Sequence, residues 1–106
     1  MAEFNISGRM SVERLQNQFK KEYGLTLRVY KGSKFADSSA TLASISDKKV
    51  EDVSCIGSIL VGNFEERMLK VGIKVQVATG DDGLLVNNKY TLNEASKLFA
   101  EEKKLY

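Results

Sequence analysis

The sequence predicts an α+β fold built from two strand–helix–strand units in tandem, at residues 4–47 and 53–97. When the chain is shifted by about 49 residues, apolar positions fall on apolar positions in the same order along both units. With a one-residue deletion in the second unit, three glycines also match: Gly8, Gly24 and Gly32 fall on Gly57, Gly72 and Gly80. An internal repeat of this kind indicates a tandem duplication and constrains the whole fold.

The first unit begins with Phe4 and Ile6, whose alternation with polar residues is typical of a half-buried strand. A helix should follow, because Ser11 is a suitable N-cap and Gly24 a suitable C-terminal stop. Its apolar residues recur at helical spacing: Val12, Leu15, Phe19 and Tyr23. Residues 25–30 alternate again and predict the second strand.

The second unit repeats this pattern, with strands predicted at residues 53–55 and 73–78. The helix between them has the apolar residues Val61, Phe64, Met68 and Val71. Leu60 occupies the position of Ser11 and has no capping oxygen. We therefore expect this helix to begin later, near residues 62–63.

Each unit ends in a further element. Residues 41–45 form a short segment of undefined type in the first unit. In the second unit Thr91 and Glu94 form a capping box that predicts a helix through about Lys104. Four apolar residues should share one face of this C-terminal helix and dock it on the core: Leu92, Ala95, Leu98 and Phe99.

Two tandem βαβ units have few compact arrangements, and a single antiparallel βαββαβ sheet resembles the ferredoxin-like fold. This topology implies helices on one face of the sheet, with the C-terminal helix as an addition. The junction at residues 46–49 is too short to separate domains, so residues 1–106 should form one domain. The 17 residues between Gly32 and Val50 are long for a hairpin, which leaves two alternatives: a sandwich of distinct sheets and a strand-exchanged dimer.

Composition predicts a soluble cytoplasmic protein with no membrane contact. The longest apolar runs are far too short to span a bilayer, and residues 1–8 lack the basic and apolar regions of a secretion signal. Cys55 is the only cysteine, so it cannot form an internal disulfide. The net charge of +2 is too small to identify a partner.

The residue types favour a protein that is not an enzyme and that has no cofactor or metal. There is no histidine, and no nucleotide-binding, nucleophile or Cys/His metal motif is present. Cys55 corresponds to Ile6 of the first unit, so we expect a buried thiol. Asp81 and Asp82 lie between two glycines and predict a turn; a divalent-cation-dependent enzyme using them is the alternative.

The candidate contact residues are Arg28, Tyr30, Lys74, Gln76 and Phe35. The first four should lie on the polar face of the sheet, and Phe35 belongs to an unusually apolar loop. The leading interpretation is a non-catalytic module for protein–protein contact, either with a protein partner or by self-association as a homodimer. The alternative is weak nucleic-acid binding through the basic and aromatic sheet face, which has only one base-stacking aromatic, Tyr30.

Overall fold

The computed structural model describes residues 3–100, which form an α+β fold with antiparallel strand pairs and four helices. The strands are β1 Glu3–Ile6, β2 Thr26–Lys31, β3 Lys34–Phe35, β4 Val53–Ile56 and β5 Lys74–Ala78. The helices are α1 Val12–Tyr23, α2 Leu42–Ile45, α3 Val61–Lys70 and α4 Leu92–Phe99. The predicted strands and long helices are therefore present, and the short segment at residues 41–45 is the one-turn helix α2.

Helix α1 has the predicted ends and the predicted buried face. The Ser11 Oγ accepts a hydrogen bond from the backbone N–H of Arg14 at 3.0 Å. Gly24 follows the last turn with a φ of 69°, a left-handed conformation that glycine adopts without strain. All four residues of the apolar stripe are buried: Val12, Leu15, Phe19 and Tyr23.

Helix α3 begins at Val61, so the expected later start is wrong. Leu60 is the N-cap residue and makes no side-chain capping bond. The N–H of Val61 donates to the Tyr90 carbonyl at 2.8 Å, and the N–H of Gly62 donates to the Asn88 carbonyl at 3.1 Å. Backbone carbonyls thus satisfy the first two donors of the helix. Both carbonyls belong to the loop that precedes α4.

Corresponding backbone bonds hold the start of α1. Its first N–H groups donate to the loop before α2, from Val12 to Ala40 at 2.8 Å and from Glu13 to Ser38 at 2.9 Å. The two helix starts in each unit are also joined by an isolated β-bridge, Ser11 with Thr41 and Leu60 with Thr91. In both units, therefore, backbone hydrogen bonds and a β-bridge join the starts of two helices, α1 with α2 and α3 with α4.

The strands form two sheets, so a single ferredoxin-like sheet is not confirmed. Strand β1 pairs only with β4, and the second sheet has the order β3-β2-β5. Each of β1 and β2 pairs with the strand at the same position in the other unit, which separates β1 from β2. A sandwich with one sheet per unit is also not observed among residues 3–100, because each sheet contains strands from both units.

The register of both sheets centres on positions that correspond in the repeat. Asn5 faces Ser54 across β1 and β4, and Arg28 faces Gln76 across β2 and β5. The Ser54 Oγ donates to the Asn5 Oδ1 at 3.2 Å. Both pairs therefore join residues at matching positions of the two predicted units.

One hydrophobic cluster lies beneath both sheets and includes residues of both units. Phe19 of α1 and Phe64 of α3 stack at its centre, with ring centroids 5.7 Å apart. Cys55 is fully buried, as expected, and its thiol contacts the Tyr23 hydroxyl with the Sγ 3.8 Å from the oxygen. Burial, the largest cause, raises the pKa of the Cys55 thiol to about 12.

Helix α4 has the predicted capping box but ends at Phe99, with Ala100 as its C-cap. The rest of the helix expected through Lys104 lies outside the described residues. Leu92 and Ala95 are buried, whereas Leu98 is 60% exposed, so the expectation that it faces the core is wrong. The helix docks through polar bonds as well, since the Ser96 Oγ donates to the Tyr23 carbonyl at 2.6 Å.

Among residues 3–100, none of the helices has the length and apolar character needed to cross a bilayer.

Because α3 has no side-chain cap, we predict that threonine at position 60 stabilises the fold more than alanine does. The backbone at Leu60 (φ −69°, ψ 144°) is close to that of Thr91 (φ −77°, ψ 164°), whose hydroxyl caps α4. We expect the new hydroxyl to accept the N–H of Asn63 and to make L60T about 1 kcal/mol more stable than L60A. Urea unfolding followed by circular dichroism measures the difference. Because both variants lose the same partly exposed leucine, equal midpoints would contradict this prediction.

Candidate functional site

The three-stranded sheet brings together all five candidate contact residues. In its register Arg28 faces Gln76, Tyr30 faces Lys74, and Tyr30 also faces Phe35 on the other side. Successive side chains of a strand alternate between faces, and the neighbours Leu27, Val29, Val75 and Val77 are buried. The five residues therefore define one outward surface, which we call the aromatic face.

Tyr30 is fixed from three directions on the aromatic face. Its hydroxyl donates to the Gln76 Oε1 at 2.7 Å, and its ring stacks on Phe35 with a centroid distance of 5.1 Å and an interplanar angle of 19°. The Lys74 Nζ lies 5.5 Å from the centroid of the same ring, within the range of a cation–π contact. These contacts fix the Tyr30 side chain, and Phe35 packs against it.

Phe35 is the outer ring of this pair and is 67% exposed. Strand β3 has only two residues, both of them exposed. Packing against Tyr30 covers part of one face of the ring, and the rest of the side chain lies in solvent. A large apolar side chain held in this way is typical of a contact surface rather than of a core.

Arg28 has a structural partner, which sequence reasoning did not identify. Its Nε lies 2.6 Å from the Asp82 Oδ1, and its Nη2 donates to the Asp82 carbonyl at 3.0 Å. The hydrogen bond to Asp82 raises the pKa of Arg28. Asp82 lies in the turn at residues 80–83 and has a φ of 60°. Its pair with Arg28 holds this turn against β2. Arg28 borders the aromatic face but is engaged within the chain.

The other aspartate of the turn is also engaged. The Thr79 Oγ1 donates to the Asp81 Oδ1 at 2.7 Å, and the N–H of Gly83 donates to the same oxygen at 3.0 Å. Such bonds are typical of an aspartate that stabilises a turn. Within the part of the chain that the structure describes, no group of three or more cysteine or acidic side chains is positioned to hold a metal ion.

Two depressions adjoin the aromatic face along α3. One, of about 450 Å³, has Tyr30, Asp47, Lys48, Leu69 and Lys74 in its lining, and we call it the mixed-charge groove. The other, of about 410 Å³, has Glu65, Glu66, Leu69 and Lys74 in its lining, and we call it the acidic groove. Leu69 and Lys74 line both, so the two grooves lie side by side.

Leu69 is a contact candidate that sequence reasoning missed. It is 56% exposed and lies outside the buried stripe of α3, which is Val61, Phe64 and Met68. Its position one residue after Met68 places it about 100° around the helix from the core. That offset was present in the sequence and could have identified an apolar residue directed away from the stripe.

A separate apolar depression of about 410 Å³ lies elsewhere, between the turn after β5 and the end of α4. Leu84 and Leu98 line it together with Phe99. Both leucines are exposed, and neither lines the two grooves beside the aromatic face. The apolar surface is therefore distributed over two regions of the molecule.

Glu65 lies at the edge of the acidic groove with its carboxylate turned to the sheet. The N–H of Val77 donates to its Oε2 at 3.0 Å, and burial, the larger influence, raises the pKa of Glu65. The corresponding residue of the first unit is Gln16, whose Nε2 donates to the Leu27 carbonyl at 2.9 Å. The same position thus binds the sheet edge as an amide in one unit and as a carboxylate in the other.

Comparison of the chain with protein-family models, curated proteins and solved structures finds no match.

The position of Glu65 predicts that Glu65→Gln is more stable than the wild type at pH 7. A carboxyl whose pKa is raised on folding binds its proton more tightly in the folded state, so its ionisation lowers stability as the pH rises. The glutamine carbonyl keeps the bond from Val77 without this cost. The advantage of E65Q should therefore disappear below the ordinary carboxyl pKa of 4.5. Thermal unfolding from pH 3 to pH 8 measures it.

Glu66→Gln is the control, because Glu66 is the exposed neighbour on the same helix. This variant should follow the wild-type stability profile closely across the pH range. A constant difference between E65Q and the wild type at every pH would contradict the assignment to a buried ionisation.

Proposed function

We propose that this chain is a non-catalytic protein-interaction module that self-associates through the aromatic face. The observation that carries this proposal is the exposed Phe35 ring stacked on an ordered Tyr30. Aromatic anchors contribute a large share of the binding energy at protein interfaces. Side chains that are already ordered lose little conformational entropy on binding, which favours association.

The reactive groups of the described chain support a non-catalytic role. Cys55 is buried, and with its pKa raised to about 12 its thiol is protonated at neutral pH. Asp81 and Asp82 are both engaged in bonds that hold their turn and β2 together. These residues therefore serve the structure, and the aromatic face is one of the exposed surfaces that the fold does not explain.

We also infer that the two units arose by tandem duplication and that residues 1–106 form a single domain. The corresponding bonds at the starts of α1 and α3 support the duplication. The pairing of β1 with β4 and of β2 with β5 supports it as well. The shared hydrophobic cluster supports one domain. A cytoplasmic location stays a prediction.

The proposal predicts that Phe35→Ser weakens self-association. Sedimentation equilibrium of the wild type between about 10 μM and 1 mM should show a concentration-dependent increase in mass. Truncation of an interface anchor costs about 1–2 kcal/mol or more, so F35S should raise the dissociation constant about tenfold or further. A wild-type chain that stays monomeric throughout this range would contradict the proposal.

Leu98→Ser is the matched control for this experiment. Leu98 is exposed to a similar degree (60% against 67%) but lines the depression at the end of α4. L98S should therefore associate like the wild type. If L98S weakened association and F35S did not, the contact surface would be the depression between Leu84 and Leu98, and the aromatic face would be the wrong assignment.

A second candidate function is single-stranded nucleic-acid binding. The specific observation in its favour is that the Lys74 Nζ lies over the ring of Tyr30, which stacks on the exposed Phe35. Bases stack on such rings, and cations attract the phosphates. The sequence had indicated one stacking residue, and Phe35 provides a second.

This candidate predicts salt-dependent binding of fluorescent single-stranded oligonucleotides, measured by anisotropy. Binding at about 50 mM salt should weaken steeply as the salt concentration rises. Tyr30→Ala should abolish it, whereas Tyr30→Phe keeps the ring and should retain most of the affinity. Absence of binding at low salt would exclude this function for the aromatic face.

A further inference from the structure

Two arginines line one depression beside β1 and the start of α1, which shares no lining residue with the aromatic face or its grooves. The depression has a volume of about 360 Å³, and we call it the arginine pocket. Its lining combines two cationic, two apolar and three neutral polar side chains: Arg9, Arg14, Phe4, Met10, Asn5, Ser7 and Gln18. None of these described residues is acidic, whereas carboxylates line both the mixed-charge groove and the acidic groove.

Backbone hydrogen bonds hold the segment that carries Arg9. The N–H of Met10 donates to the Ser7 carbonyl at 3.2 Å and closes a turn after β1. The first two N–H groups of α2 bind the same turn, because they donate to the carbonyls of Met10 and Gly8 at 2.9 and 3.0 Å. The backbone is therefore fixed on both sides of Arg9.

Arg14 lines the pocket from the first turn of α1. It lies four residues before Gln18, on the same side of the helix. A cation this close to a helix N-terminus is unfavourable, because the helix dipole is positive at that end. The charge of Arg14 therefore does not stabilise α1.

Neither Arg9 nor Arg14 makes a side-chain hydrogen bond or ion pair among residues 3–100. Glu13 lines an adjoining depression together with Arg14 but forms no ion pair with it. Glu22 accepts a hydrogen bond from the Gln18 Nε2 at 3.0 Å. Both guanidinium groups are therefore available to a ligand in the pocket.

The second unit indicates that the fold does not need arginine at these positions. In the predicted repeat, Arg9 corresponds to Ser58 and Arg14 corresponds to Asn63. Ser58 and Asn63 are exposed, as the two arginines are. The two apolar residues of the lining, by contrast, correspond to apolar residues of the second unit. The apolar part of the pocket thus belongs to the shared pattern, and the two cations are specific to the first unit.

We propose that the arginine pocket binds the phosphate group of a small phosphate monoester. Guanidinium groups bind phosphate oxygens through pairs of parallel hydrogen bonds, and two of them match the charge of a monoester dianion. The half-buried side chains of Phe4 and Met10 offer an apolar wall to the organic part of the ligand. The volume of about 360 Å³ lies within the usual range for small-molecule sites. This inference concerns a second surface and does not depend on the proposed self-association.

The test titrates phenyl phosphate into the isotopically labelled full-length chain at low salt and follows the backbone amides by NMR. The shifts should saturate and should centre on residues 4–10 and 14–18. Inorganic phosphate should bind at the same amides several-fold more weakly, because it has no ring to contact Phe4 and Met10. Benzoate has the ring but only one negative charge, so it should also bind more weakly than phenyl phosphate.

Two variants give each position the residue type of the second unit, Arg9→Ser and Arg14→Asn. Each removes one guanidinium, so either variant should bind phenyl phosphate about tenfold more weakly than the wild type or worse. Lys89→Ser is the matched control, because it removes one positive charge from an exposed residue outside the pocket lining. K89S and F35S should both keep the wild-type affinity, and the amide spectra show whether each variant is folded.

Four outcomes would overturn this inference. The first is the absence of saturable shifts in the wild type up to about 20 mM phenyl phosphate. The second is an equal loss of affinity in R9S, R14N and K89S, which would indicate diffuse charge attraction. Tighter binding of benzoate than of phenyl phosphate would make the ligand group a carboxylate. Shifts at the pocket with a single-stranded oligonucleotide but not with phenyl phosphate would assign it to nucleic acid. Each outcome leaves the sedimentation test of self-association unaffected, so the two proposals can fail separately.

Discussion

The antiparallel pairing of β2 with β5 is the constraint on which the rest of the structure depends. It joins the two units in the middle of the larger sheet and fixes a register in which Tyr30 lies opposite Lys74 and Arg28 opposite Gln76. The buried faces of both strands then meet α1 and α3, and the polar faces combine into one outward surface. Loss of this pairing would separate the residues of the aromatic face as well as the two halves of the core.

The backbone bonds at the helix starts are a second constraint, which acts within each unit. Each long helix directs its first N–H groups at the loop before the next helix, and the loop carbonyls accept them. This arrangement holds the long segments after β2 and β5 against the body of the protein. It also helps to explain why Leu60 is tolerated at an N-cap, since the N–H groups of Val61 and Gly62 already have backbone partners.

The candidate site was partly accessible from the sequence. Alternation identified Arg28, Tyr30, Lys74 and Gln76 as outward residues, and the structure places them side by side with Phe35. The engagement of Arg28 by Asp82 could not be read from the sequence, because the two residues are 54 positions apart. The position of Leu69 in the lining of both grooves depends on how α3 packs beside β5, which no local pattern specifies.

The sequence by itself predicted most of the local elements: the long helices with their buried stripes, the caps of α1 and α4, and four of the five strands. These follow from periodicity and capping, which involve residues a few positions apart. Only the tertiary structure decided that corresponding strands pair with each other in two sheets, in place of one ferredoxin-like sheet. Backbone hydrogen bonds are the same whichever strand supplies them, so alternation predicts a strand but not its neighbour.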